Sequence, residues 1–208
     1  EIFIKYIVIC TNNNTIINNI FTHNDRGISL SEAGGHTIYN NTFTGDGISI
    51  GGKVYTSYGP NYVCNNTVNG KSILYFYEKN NLLINEAIKI GQIILVGCNN
   101  ITVTHHNIGH TYIGIRIWDC TDCYIFENNI THCHWGVWLQ DSSSNIITHN
   151  NFVDNEMHGA ITAWKGNQFN YWNRNYWDDW RLPFPRIFGG IKNADWLPRV
   201  FPYNWWSQ

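Results

Sequence analysis

The chain has 208 residues, and only 13% are charged, with 13 Lys and Arg against 15 Asp and Glu. That length can bury one sizeable core, and the near-neutral balance argues against a general nucleic-acid binder, which needs a basic face to displace counterions from phosphate. No apolar run reaches the roughly 18 to 20 residues of a membrane-spanning helix.

The opening segment, Ile2 to Cys10, reads as a strand. It lacks the initiator Met, basic start and small-residue cleavage site of a signal peptide, so the chain is expected to begin inside a longer precursor whose first coils are absent here. A repeat then runs down the chain. Thr15-Ile-Ile-Asn-Asn-Ile-Phe21, Thr37-Ile-Tyr-Asn-Asn-Thr-Phe43, Ile125-Phe-Glu-Asn-Asn-Ile130 and Ile147-Thr-His-Asn-Asn-Phe152 align. The Asn two places before the closing apolar residue gives Asn19, Asn41, Asn66, His106 in its place, then Asn128 and Asn150, with steps of 22, 25, 40, 22 and 22. The step of 40 holds two shorter coils, with a divergent coil in 69–100. A second landmark follows: Gly-Ile-Ser-Leu at 27–30, Gly-Ile-Ser-Ile at 47–50, Gly-Ile-Arg-Ile at 114–117 and Gly-Val-Trp-Leu at 136–139.

No unit can bury its apolar face alone, but stacked units make a continuous core. The fold class predicted is all-β, a right-handed parallel β-helix of about eight coils of ~22 residues, the hand following from the rule for parallel crossovers. Successive coils sit ~4.8 Å apart, so the Asn positions form an inward ladder that satisfies backbone groups at the bend. The solenoid is predicted over 1–166. From 167 to 208 the repeat breaks into a stretch with Trp172, Trp177, Trp180, Trp196, Trp205 and Trp206 and with Pro183, Pro185, Pro198 and Pro202, read as a C-terminal cap over the open end or a docking surface for a second subunit.

The segments Asn13-Asn-Thr-Ile-Ile-Asn-Asn19, Asn65-Asn-Thr-Val-Asn-Gly-Lys71, Gly91-Gln-Ile-Ile-Leu-Val96 and Asn175-Tyr-Trp-Asp-Asp-Trp180 resemble the NosD-like right-handed β-helix proteins of archaea and bacteria, whose repeats are of the carbohydrate-binding and sugar-hydrolysis type. The tail is similar to that of archaeal surface members. The resemblance covers nearly the whole chain and implies the fold. Its name implies periplasmic copper delivery, although the chain has a single Met and so no Met-rich copper motif.

A 22-residue coil turns the sequence into columns. His105, Glu127 and His149 form one, His110, His132 and Asp154 another, and His134 with Glu156 a third; these are ligand types for Zn²⁺ or Cu²⁺, or else a solvated polar face. A lyase-like site would call for Ca²⁺; otherwise no cofactor is implied. Arg116 and Trp138 share an outward column with Trp118 near its end, an arrangement that could stack on the faces of a sugar. Asp119 and Asp141 stack as a candidate acid pair at glycosidase spacing, though both sit in ordinary turn sequences. Six cysteines are even in number, and Cys98 and Cys120 are one coil apart, within disulfide reach. Sequons stand at Asn13, Asn40, Asn65, Asn100 and Asn129.

The function expected from these readings is a non-catalytic extracellular or cell-surface module that binds polysaccharide or builds a surface assembly, with homo-oligomer contacts through the tail or the open first coil. The rivals are a polysaccharide lyase or glycoside hydrolase, a copper- or zinc-binding module, and a purely structural self-assembling subunit.

Overall fold

The computed structural model describes residues 6–22, 24, 26–52, 60–85, 88–162, 168–180, 182, 184–187 and 193–204, and every regular element among them is a β-strand. The first coil contributes β1 (Tyr6–Ile9), β2 (Thr15–Ile17) and β3 (Ile20–Thr22). The second contributes β4 (Gly27–Ser31), β5 (Thr37–Tyr39) and β6 (Thr42–Thr44), and the third β7 (Ile48–Gly51), β8 (Tyr62–Cys64) and β9 (Thr67–Val68). These strands pair in parallel with the preceding coil, as in Ile28↔Ile48, Ile38↔Val63 and Phe43↔Val68.

The stack then turns back. β9 and β10 (Lys71–Tyr77) are antiparallel, with Val68 opposite Lys71, and the loop between them is Asn69-Gly70 with φ of 50° and 73°. An Asn-Gly loop with both φ positive is the type I′ pattern that suits the right-handed twist of a hairpin. Lys71 onward therefore starts a second stack. It holds β10 with β11 (Asn80–Ile84), and then β12 (Ile90–Val96), β13 (Asn99–Thr104) and β14 (Asn107–Gly109). Next come β15 (Ile113–Trp118), β16 (Tyr124–Phe126) and β17 (Asn129–Thr131), followed by β18 (Trp135–Gln140), β19 (Ile146–Thr148) and β20 (Asn151–Val153). The last full coil is β21 (Met157–Thr162), β22 (Tyr171–Asn173) and β23 (Tyr176–Trp177). Residues 22 apart pair here, as in Ile115↔Val137 and Ile130↔Phe152. The parallel β-solenoid is as the repeat predicts, with eight coils divided three and five. The long step in the Asn series is the reversal, across which Asn66 and His106 head separate ladders.

The two stacks share a wall. On β12 the side chains alternate: Ile93 and Leu95 enter the core of the second stack, while Ile94 and Val96 join Ile28, Leu30, Phe43, Ile48 and Ile50 in the core of the first. A strand covered on both faces loses the polar alternation of a surface strand, and all seven residues of β12 are buried. Gln92 fastens the wall: its Oε1 accepts the Ile48 amide at 3.0 Å, and its Nε2 donates to the carbonyls of Ile48 and Ile113 at 2.8 and 2.9 Å.

The Asn ladder forms as expected. Asn41, Asn66, Asn128 and Asn150 are buried, while Asn19 is exposed in the end coil. In each step the side-chain oxygen above accepts the backbone amide below, as in Asn128 N to Asn150 Oδ1 at 3.0 Å. The ladder runs further than predicted, through Asn175 to the carboxylate of Asp195. The strands also cross position 167: β22 and β23 continue the sheets, and β25 (Ala194–Asp195), paired antiparallel with β24 (Arg186–Ile187), adds to β22. Trp172 and Trp177 close the core, the latter stacked 4.3 Å from Phe152. Residues 2–5, Pro183, Trp205 and Trp206, all singled out above, lie outside the described residues.

Candidate metal centre

The turn columns predicted from the 22-residue period form, and backbone conformation explains their residue types. His105, Glu127 and His149 all have φ between 55° and 60°, and His110, His132 and Asp154 between 52° and 56°. Asn, Asp and His tolerate this left-handed region better than most residues. His105 Nε2 lies 3.1 Å from Glu127 Oε2, whereas His149 turns to Tyr203, with ring centroids 5.6 Å apart. The His110 and His132 rings stack at 4.4 Å, and His132 Nε2 is 3.5 Å from Asp154 Oδ2. His134 Nδ1 pairs with Glu156 Oε2 at 2.6 Å. His105, Glu127, His134 and His149 are half-buried, whereas His110, His132, Asp154 and Glu156 are exposed.

Three-fold convergence occurs one coil further on. Among the described residues, His158, Asp178 and Asp179 alone bring three ligand atoms within 4.8 Å of one another. His158 is the second residue of β21, stacked on Gly136, and its side chain is 2% exposed. A Cβ at Gly136 would come within 2.5 Å of the His158 carbonyl, so the close approach needs glycine there. Asp178 and Asp179 follow β23, which the Phe152–Trp177 stack pins to the core. Asp178 Oδ1 is 2.9 Å and Asp179 Oδ1 3.1 Å from His158 Nε2. Asp178 Oδ2 accepts the Asp154 amide at 2.7 Å. Its Oδ1 is buried and makes no hydrogen bond among the described residues, which leaves a buried carboxylate lone pair beside an imidazole.

Burial lowers the His158 pKa, with Asp179 opposing that shift, so the ring is neutral at neutral pH. Asp179 would be raised by burial, but the hydrogen bond from Arg186 and the adjacent His158 outweigh that and hold it below the usual carboxylate range. The Asn155 amide nitrogen lies 3.2 Å from His158 Nδ1, which makes Nδ1 the acceptor and leaves the ring proton on Nε2. To hold an ion at Nε2 the neutral ring would carry its proton on Nδ1 instead, where it could no longer accept from the Asn155 amide.

The period alone did not reveal this centre, because two of its members lie in the tail, 20 and 21 residues from His158 rather than 22. The available signal was the Asp154 column itself, which continues into Asp178.

The expected sugar-stacking set is corrected. Arg116 is 0% and Trp118 3% exposed, because the first stack covers that face. Arg116 donates to the Ile50 carbonyl at 3.1 Å, hydrogen-bonds Gln140 and sits 4.2 Å over the Trp138 ring. Burial presses its pKa down to about 9, still cationic at neutral pH. Trp138 is half-buried and donates to Thr162 at 3.1 Å. The expected Cys98–Cys120 bridge is likewise corrected: both are free thiols, and Cys98 N donates to Cys120 Sγ at 3.3 Å. Cys98, Cys120, Cys123 and Cys133 are buried at inward turn positions like those of the ladder Asn residues. Asp119 and Asp141 adopt φ of 53° and 48°, the turn conformation their sequences predict, and Asp141 is buried. Of the sequons, Asn13, Asn40, Asn65 and Asn100 are exposed and Asn129 half-buried.

A family model described as NosD, periplasmic copper-binding protein, matches residues 46–181. The chain belongs to the NosD family. The matched stretch starts just before β7 and contains all three residues of the centre. No curated protein and no solved structure is significantly similar to this NosD-family chain. Among its described residues no helix is long and apolar enough to cross a membrane.

The donor set of the NosD-family chain suits copper in one oxidation state. An imidazole and two carboxylates are borderline-to-hard ligands, fit for Cu²⁺ or Zn²⁺; Cu⁺ selects thiolate and thioether. Residues His158, Asp178 and Asp179 would hold such an ion, with Asp178 Oδ1 already desolvated beside the imidazole.

Proposed function

We propose that the chain is a periplasmic or surface β-solenoid that binds a divalent copper or zinc ion through His158, Asp178 and Asp179. The observation that carries this is the buried imidazole with two carboxylate oxygens at 2.9 and 3.1 Å, one of them making no hydrogen bond among the described residues. The family description, periplasmic and copper-binding, supports both the ion and the location. A bound Cu²⁺ or Zn²⁺ would supply a Lewis-acidic centre; the chain's own residues supply the cage, the neutral ring and, through Trp177 and Phe152, exclusion of water from one side. Burial of Arg116 and Trp118 removes the support that the sequence lent to a polysaccharide platform on that face.

The test is isothermal titration of the full chain with Zn²⁺ and, separately, Cu²⁺. One ion per chain is expected, with His158→Ala abolishing binding and His132→Ala leaving it intact. Equal binding by His158→Ala and the parent would sink the assignment.

A further inference from the structure

Arg186 lies outside the family-matched stretch, in β24 of the closing segment. Its guanidinium forks onto Asp179: Nη1 hydrogen-bonds Oδ1, and Nη2 donates to Oδ2 at 3.0 Å. Both oxygens of one proposed ligand are therefore already held by a cation, and Oδ1 is the same atom that faces His158. The guanidinium also lies 4.8 Å over the Trp177 ring and 5.7 Å over Trp180. The two carboxylates and the one guanidinium of the cluster sum to a charge of −1; without the guanidinium they sum to −2.

We propose that Arg186 is the resident counter-cation of the centre and that an incoming divalent ion displaces it from Asp179. This rests on the metal reading above. Two cations cannot both claim Asp179 Oδ1 at close range without strong repulsion, and a bidentate guanidinium–carboxylate pair is a strong competitor for that oxygen. Ion binding and docking of β24 then become reciprocal: occupancy frees Arg186 from Asp179, and a firmly docked β24 weakens the ion. Because Arg186 lies against two indoles, its departure changes their environment. The ion is sensed at the closed end of the solenoid, where β24 pairs with β25 and β25 with β22.

The experiment compares the full chain with Arg186→Met, which keeps the aliphatic stem over the indoles, and with Arg186→Lys, which keeps the charge without the fork. Zn²⁺ affinity is measured by calorimetry and tryptophan emission followed during the same titration, Zn²⁺ having no absorption of its own. Arg186→Met is expected to bind Zn²⁺ roughly 3- to 10-fold tighter, the scale set by loss of one partly exposed forked pair. Arg186→Lys should fall between it and the parent. The parent should show a Zn²⁺-dependent emission change that Arg186→Met lacks. Equal or weaker Zn²⁺ binding by Arg186→Met, with His158→Ala still non-binding, overturns the displacement while leaving the metal centre standing. Absence of Zn²⁺ binding in the parent overturns both. If Arg186→Met does not fold, Asp179→Asn serves: it must abolish the emission change, and retention of that change overturns the proposal.

Discussion

The three-coil and five-coil stacks use the same repeat, yet the same position in it has opposite content. In the Gly-Ile-x-Leu strand the outward residue is Ser29 or Ser49 in the first stack and Arg116 or Trp138 in the second. The strands face one another: the cleft between them is lined by Ser29, Ser31 and Ser49 on one side and by Trp138, Gln140 and Thr162 on the other. Small side chains on one wall accommodate large ones on the other, and Ser29, Ser49 and Arg116 are all buried. Alternation tells which side of a strand a residue occupies. Whether that side meets water depends on what folds over it. Capping also differs. The first ladder ends in an exposed Asn19, the second in the buried Asp195 carboxylate, to which Trp177 Nε1 donates at 3.0 Å. The second stack thus carries the closed end and the proposed metal centre, and the first serves as a cover over its outer sheet.

If the first stack is a cover held by a few polar ties, the largest effect should come from cutting the best-buried one. Gln92→Ala leaves the Ile48 amide and the carbonyls of Ile48 and Ile113 without that partner in a dry wall. Stranding buried backbone groups of this kind costs about 2–4 kcal/mol. Native-state hydrogen exchange should show the amides of β4 and β7 losing protection while those of β15 and β18 keep theirs. A uniform loss across both stacks would mean one cooperative unit and would remove the distinction between cover and body.

A smaller effect tests the hinge between the stacks. Gly70 has φ of 73° and a Cβ there meets nothing within 4 Å among the described residues, so backbone strain decides the outcome. Gly70→Ala should destabilise by about 1 kcal/mol in chemical denaturation, with the loss again concentrated in the first stack. A larger loss, spread over β12 to β18, would show that the hairpin nucleates the whole fold rather than attaching the cover.

Much of this architecture was legible in the chain. The 22-residue period and the Asn at each bend specify parallel stacking, because inward amides at one bend satisfy the next coil whatever else surrounds them. The turn columns were legible for the same reason. The reversal was not, although Asn69-Gly70 between Thr67-Val68 and an apolar run is a hairpin signal in its own right; the repeat on either side made continuation the natural expectation. Arg116 and Trp118 were misplaced because period 2 carries no information about a second layer. His158 was missed because its partners sit in the tail, where the coil length changes from 22 to 25 and column arithmetic fails.

The smallest effect sharpens the asymmetry between the stacks through pH. Burial lowers the pKa of His36 in the first stack and of His110, His149 and His158 in the second. Charges facing the second-stack rings modify this: His132 and Lys71 add to the lowering at His110, and Arg174 and Arg199 at His149, where Glu127 and Asp195 oppose it. A folded-state pKa below the unfolded value of 6.5 means that the unfolded chain binds more protons as pH falls. Stability is therefore fully present above pH 6.5 and is lost progressively as pH drops through the lowered values. With three of the four rings in the second stack, acid should weaken the closed end before the cover, the reverse of what Gln92→Ala does. Thermal melts between pH 7.5 and 5, read beside exchange at β21 and β7, measure this. A melting temperature that rises on acidification would show these imidazoles charged and paired in the fold, and would reverse the assignment of His158 as a neutral ligand.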